Sequence, residues 1–149
     1  MSITHNRGLC EISKGNAPWI SGTFKVMLAT ALYVPNRDHN FISQASGNEL
    51  SGSGYVAGFA GSGRKALTNK AVTQDDTLDA AVMTADASTW LLINAGIAAY
   101  AIVYFPVTND ADSFIIATLN IGPFTTNGTD LVINYPVAAD GGLFKIRGV

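Results

Sequence analysis

From about residue 65 onward the chain reads as one short pleated segment after another, and that succession constrains the fold more than any other feature. Apolar and β-branched pieces at 65–74, 77–84, 88–93, 97–107, 113–121, 129–135 and 143–147 are separated by "QDD", "NAG", "TNDAD", "GPFTTNG" and "AADGG". The separators are rich in Gly, Asn and Asp, which supply positive φ or bond their own backbone in turns. "TDLVINY" shows the period of two directly, with Leu131 and Ile133 on one face and Val132 and Asn134 on the other. Ahead of it, the pair Asn127–Gly128 suits the tight turn of a hairpin. Many short strands with regular turns predict an all-β protein, an antiparallel β-sandwich of jelly-roll-like form with one short helix.

The first part of the chain is different. Residues 1–22 mix His5, Asn6, Gly8, Gly15, Asn16 and Pro18 with isolated Leu9, Ile12, Trp19 and Ile20. We read them as an extended N-terminal arm, packed on the domain or on a neighbour, and residues 23–149 as a single β-sandwich domain. "TFKVMLATALYV" (23–34) is a buried strand ending at Pro35. After it, Asn36 as a cap and Phe41, Ile42 and Ala45 at helical spacing predict the one short helix. A Gly- and Ser-rich loop fills 46–64. At 149 residues the chain is long enough to bury roughly 70% of its unfolded surface without a cross-link or metal.

Charge narrows the function. Only 13% of the residues are Asp, Glu, Lys or Arg, against about 25% in an average soluble domain. Charge is what keeps surfaces apart in solution and is depleted in interface cores, so the deficit predicts an assembly component. The other reading is a secreted domain clad in Ser, Thr, Asn and Gly. The nine Lys and Arg are scattered, with only Arg64 and Lys65 adjacent, which offers no basic face for nucleic acid. Cys10 is the single cysteine, so no internal disulfide forms. The longest apolar runs fall short of the about 20 residues that a membrane-spanning helix needs. The first residues lack the apolar core of a signal peptide, and the expectation is synthesis in cytoplasm.

Four constellations bear on chemistry. "AGFAGSGRKA" (57–66) has Gly58 and Gly63 at P-loop spacing, but Arg64 stands where the lysine belongs and Ala66 replaces the magnesium-holding hydroxyl. No strand precedes it and no helix pattern follows, so it reads as a flexible loop between strands. Cys10 with His5 or His39 lacks a third orienting group, and Cys10 reads as a small apolar side chain. Asp75, Asp76 and Asp79, and Asp110 and Asp112 beside Asn109, lie in turns and match no calcium loop; such acids cap backbone amides. "NGT" at 127–129 matches a glycosylation acceptor but reads as the hairpin turn. The expectation is a protein with no cofactor, no metal and no catalytic set. Trp90, Tyr100, Tyr104 and Phe114 lie in strands and read as core, whereas Trp19, in the arm, reads as an interface anchor.

The order of "GLCEISKG", "FKVMLATALYVPNRDHNFIS", "ELSGSGYVAGFAGSGRKALTNKAVT", "DAAVMTADASTW" and "FTTNGTDLVINYPVAADGGLFKI" resembles a family of small tailed-bacteriophage virion proteins encoded among the head genes. That resemblance covers most of the chain. It implies a capsid decoration, or cement, protein that sits on the outer capsid surface and staples neighbouring major capsid protein subunits. The partners it implies are the major capsid protein and further copies of the chain, as a homo-dimer or trimer. In such a protein Leu9, Ile12, Trp19 and Ile20 are expected to be apolar anchors, with Arg64 reaching a second subunit; deleting residues 1–20 is expected to abolish particle binding and spare the fold. The alternative is a tail, baseplate or fibre component with a receptor- or glycan-binding role.

Overall fold

Residues 2–147, described by a computed structural model, form ten strands, two α-helices and one 3-10 turn. The order is β1 (Ile3–Thr4), α1 (Asn6–Ser13), β2 (Lys25–Ala29), α2 (Ser43–Ser46), β3 (Lys65–Ala66), β4 (Ala71–Asp75), β5 (Ala80–Thr84), β6 (Ser88–Ile93), β7 (Ile97–Phe105), β8 (Phe114–Thr125), β9 (Thr129–Ile133), the 3-10 turn (Ala138–Asp140) and β10 (Phe144–Arg147). Every pairing is antiparallel. The strands make a five-stranded sheet ordered β1-β8-β7-β2-β3, a three-stranded sheet β10-β5-β4 and a two-stranded ribbon β6-β9. The chain is therefore all-β, antiparallel and sandwich-like, with little helix.

The centre of the five-stranded sheet is buried on both faces, and the sequence shows why. On one face Val26, Leu28, Ala101, Val103, Ala117 and Leu119 join the main core with Trp90 and Tyr55. On the other, Met27, Ala29, Ile102, Tyr104 and Ile115 pack under Tyr33, Ile42 and Ala45. A central strand covered on both sides cannot alternate polar and apolar residues, so β2 reads as the unbroken run "VMLA". The segment expected to be helical contributes its Ile42 and Ala45 to this second core, although α2 is a single turn. Asn36 does not cap it: its side chain accepts from the Asp38 amide, closing a local turn.

Of the expected arm, residues 1–22, the described part from residue 2 onward is not extended. Ile3 and Thr4 pair with Thr118 and Ala117 of β8, and α1 then lies across the same strand. Leu9 and Ile12, three apart, turn one side of the helix to the main core. Arg7 Nε lies 2.9 Å from Glu11 Oε1, an ion pair without hydrogen-bond alignment, and Glu11 also accepts from the Asn16 amide at 2.7 Å. Gly8 makes the close approach possible, since a methyl group there would overlap the Ile115 carbonyl and come within 2.7 Å of the Ile116 Cα. Isolated apolar residues among polar ones are what a two-turn amphipathic helix looks like at this length.

Two more expectations shift. The run 65–74 is broken into β3 and β4 at Asn69, whose φ of 47° carries the chain from one sheet to the next. Asn127–Gly128 forms a tight turn, with Gly128 at φ 86°, but not a hairpin: β8 pairs with β7 and β9 pairs with β6. The turn sends the chain from the five-stranded sheet to the ribbon. The alternation in "TDLVINY" is as read, with Leu131 and Ile133 buried and Val132 and Asn134 exposed.

Candidate functional site

The five residues expected to bind a partner fall into three situations. Trp19 is 4% exposed, its ring 4.7 Å from Phe24 and 5.1 Å from Phe144, and its indole N–H donates to the Ala71 carbonyl. It is a core residue that ties the N-terminal segment to the three-stranded sheet. Leu9 and Ile12 are half-buried in the α1 contact, leaving Ile20, 59% exposed, as the one fully outward-facing residue of the five.

Arg64 is also buried, and its environment explains the glycine loop around it. The guanidinium donates to Glu49 (Nη2 to Oε2, 2.6 Å; Nε to Oε1, 2.8 Å) and to Asp110 (Nη1 to Oδ1, 2.5 Å; Nη2 to Oδ2, 3.0 Å). Glu49 accepts further bonds from the Gly58 amide at 3.0 Å and the Tyr55 hydroxyl at 3.1 Å. The P-loop-like stretch does wrap an anion with a glycine amide, and the anion is the protein's own carboxylate. Burial alone would disfavour the Arg64 charge; the bonds to Glu49, Asp110 and Tyr104 outweigh it, and the pKa moves upward. Burial, reinforced by the Glu49 charge, raises Tyr55, which stays a neutral donor.

The loop is consequently fixed rather than flexible. Tyr55 accepts the Leu28 amide of β2 at 2.9 Å, and the Leu28 carbonyl accepts from Leu50, so the loop covers the β2 edge where the two-residue β3 stops. Trp90 donates to the Gly63 carbonyl at 2.6 Å, and the Tyr55 ring occupies the space that a side chain at Gly63 would need. Nothing in the spacing of Glu49, Arg64 and Asp110 announces the triad; the closest signal is a lone pair of acids lying either side of an arginine in a chain so poor in charge.

The remaining chemical candidates are accounted for by local structure. His5 is buried, its Nδ1 donating to the His39 carbonyl and its Nε2 accepting from Thr118 Oγ1 at 2.9 Å. Burial pushes its pKa down to about 4. His39 bonds the Tyr33 hydroxyl, and Cys10 points outward from α1. Asp75 caps the amides of Thr77 and Leu78, and Asp112 caps those of Thr108 and Asn109. Among the described residues no three His, Cys, Asp or Glu converge at metal-binding distance, and no helix is long and apolar enough to cross a membrane.

One surface feature that local structure does not account for is on the ribbon. A regular β6 would alternate, yet Trp90 and Ile93 are both buried while Leu91 and Leu92 between them are both exposed. The register with β9 shifts between Trp90 and Ile93, and Leu92 sits at φ 47°, its amide bonded to Asp130 Oδ1 at 2.9 Å. A non-glycine residue held at positive φ costs about 1–3 kcal/mol and persists only where surroundings impose it. Bulges of this kind re-aim side chains, here two leucines, into solvent.

The ends of β6, β7, β8 and β9 meet at this pole, through bonds from Gly128 N to Ile93 O and from Thr126 N to Gly96 O. Ile97 and Phe124 lie at these strand ends, Val132 faces out farther along β9 opposite Thr89, and these three with Leu91 and Leu92 are between 43% and 68% exposed. An open groove of about 380 Å³ adjoins the pole, with Leu119, Asn120, Phe124, Val132 and Asn134 among its walls. No polar-to-apolar pattern in "STWLLI" indicates which residues face out; the doubled leucine is the only hint. Compared with protein-family models, curated proteins and solved structures, the chain matches none.

Proposed function

We propose that this protein is a structural virion component that binds the outer surface of a tailed-phage capsid and cements neighbouring major capsid protein subunits. The observation that carries the reading is the β6 bulge, where the register shift with β9, with Leu92 strained at positive φ, leaves Leu91 and Leu92 side by side in solvent. Leaving that much apolar surface in water is unfavourable by roughly 25 cal/mol per Å², and the strain adds to it, so the arrangement gains only when another subunit covers it. The low charge supports the same reading, because many copies packed on a lattice must not repel one another. The order of sequence segments supports the family. Binding only the assembled, expanded shell raises the cost of separating its subunits by mass action.

The test is co-sedimentation with expanded heads that lack the protein, comparing the native chain with a Leu91→Asn/Leu92→Asn variant. Asn tolerates positive φ, so the variant keeps or gains thermal stability. We expect it to lose head binding; undiminished binding contradicts the role given to the bulge.

A second reading, a tail or fibre component that binds glycan, is favoured by the groove, whose Phe124 and two asparagines are the residue types that stack on and hydrogen-bond sugars. Binding on a glycan array without affinity for heads would select it.

A further inference from the structure

β4 ends the three-stranded sheet, pairing with β5 on one side only. Its residues Ala71, Val72, Thr73 and Gln74 are exposed, on both faces of the strand. Natural edge strands are usually blunted by proline, bulges, or charges within the strand. β4 has no proline and no bulge, its one charge, Asp75, is the last residue of the strand, and Lys70 and Asp76 flank it.

We infer that β4 pairs with β4 of a second copy, antiparallel, about a twofold axis beside Thr73. Symmetry restricts the choice. A twofold perpendicular to the sheet must place each residue opposite one whose side chain shares its face, so the axis falls beside a residue. Centred on Thr73, the pairing sets Thr73 against itself, Val72 against Gln74 of the second copy, and Lys70 against Asp76 of the second copy. The ladder spans β4 from Val72 to Gln74 and reaches Ala71, whose carbonyl already accepts from the Trp19 indole, and opposite charges meet at both ends. Centring on Val72 or Gln74 shortens the ladder and leaves Lys70 without an acid opposite it. A parallel pairing sets Lys70 against Lys70 and acids against acids, which is destabilising.

The result is one continuous six-stranded sheet, β10-β5-β4 followed by the same three strands of the second copy in reverse. An open groove of about 600 Å³ along Val72, Gln74, Ala81 and Ile146 continues across the axis, since Val72 and Gln74 lie on the same face. Threonine opposite threonine is a favourable cross-strand pair. This deepens the self-association expected of a lattice component, and it rests on the virion reading for its biological setting only.

Light scattering across a concentration series tests it. The native chain is expected to reach twice the 15.6 kDa monomer mass. Lys70→Glu and Asp76→Lys, both on the surface, are each expected to weaken the dimer about tenfold, because each turns two attractions into two repulsions. The double variant Lys70→Glu/Asp76→Lys restores opposite charges and is expected to recover most of the affinity. Thr73→Pro, which takes the strand out of edge pairing, is expected to give a monomer. A native chain that stays monomeric or forms a trimer overturns the inference, and so does a double reversal as weak as either single change. Head binding by a monomer would leave the virion reading standing without this pairing; a twofold dimer that ignores heads would do the reverse.

Discussion

Arg64 and Glu49 form a fork-to-fork pair inside the protein, at 2.6 and 2.8 Å, with the Arg64 side chain fully enclosed. Removing one partner of such a pair leaves the other as an uncompensated buried charge, a loss of about 3–5 kcal/mol. Arg64→Met is therefore expected to lower the urea midpoint by that equivalent. Arg64→Lys, which keeps the charge and loses the fork, should fall between. A change smaller than about 1 kcal/mol, within the range of an exposed ion pair, would contradict the enclosed geometry.

Gly8→Ala sets two effects against each other. Alanine favours a helix by about 1 kcal/mol over glycine. Here the added methyl collides with backbone, the Ile115 carbonyl and the Ile116 Cα, which cannot swing aside as a side chain would. We expect the clash to win by about 1–3 kcal/mol, with α1 displaced from β8. Amide exchange of α1 in the variant checks it; unaltered protection would mean that the helix does not lean on the strand.

His5 makes stability depend on pH. Its folded pKa of about 4 lies below the ordinary 6.5, so the unfolded chain binds the proton first. The stability from burying a neutral imidazole is whole above pH 6.5 and falls as pH drops from 6.5 toward 4, by roughly 3 kcal/mol in all. Melting temperatures from pH 7 to pH 5 should decline in the native chain and stay flatter in His5→Gln. Parallel profiles would remove His5 as the cause.

The sandwich class, seven of the strand positions and the inward face of "TDLVINY" were legible because period-two patterning and turn residues act locally. The missed elements were decided by distant partners. α1 is recognisable only once β8 is there to cover Leu9 and Ile12, and Gly8, unfavourable in an isolated helix, is there for the contact rather than for propensity. The Arg64 triad joins residues 15 and 46 positions away, beyond any local signal. Leu92 follows the same logic, since its bulge is set by the register with β9.

Trp19 separates fold from binding. Trp19→Ala removes a ring packed on Phe24 and Phe144 and the bond to Ala71, and is expected to cost about 3–5 kcal/mol. Deletion of residues 1–20 should accordingly unfold the domain, not leave it folded and unable to bind. Far-UV and near-UV circular dichroism of the truncated chain decides the point; a native-like spectrum would restore the picture of a dispensable arm.

Cryo-electron microscopy of expanded heads saturated with the purified protein tests the central claim most directly. The account predicts density repeating at equivalent lattice positions on the outer surface, with Leu91 and Leu92 covered by a major capsid protein subunit. Heads that remain bare at saturating protein would contradict it.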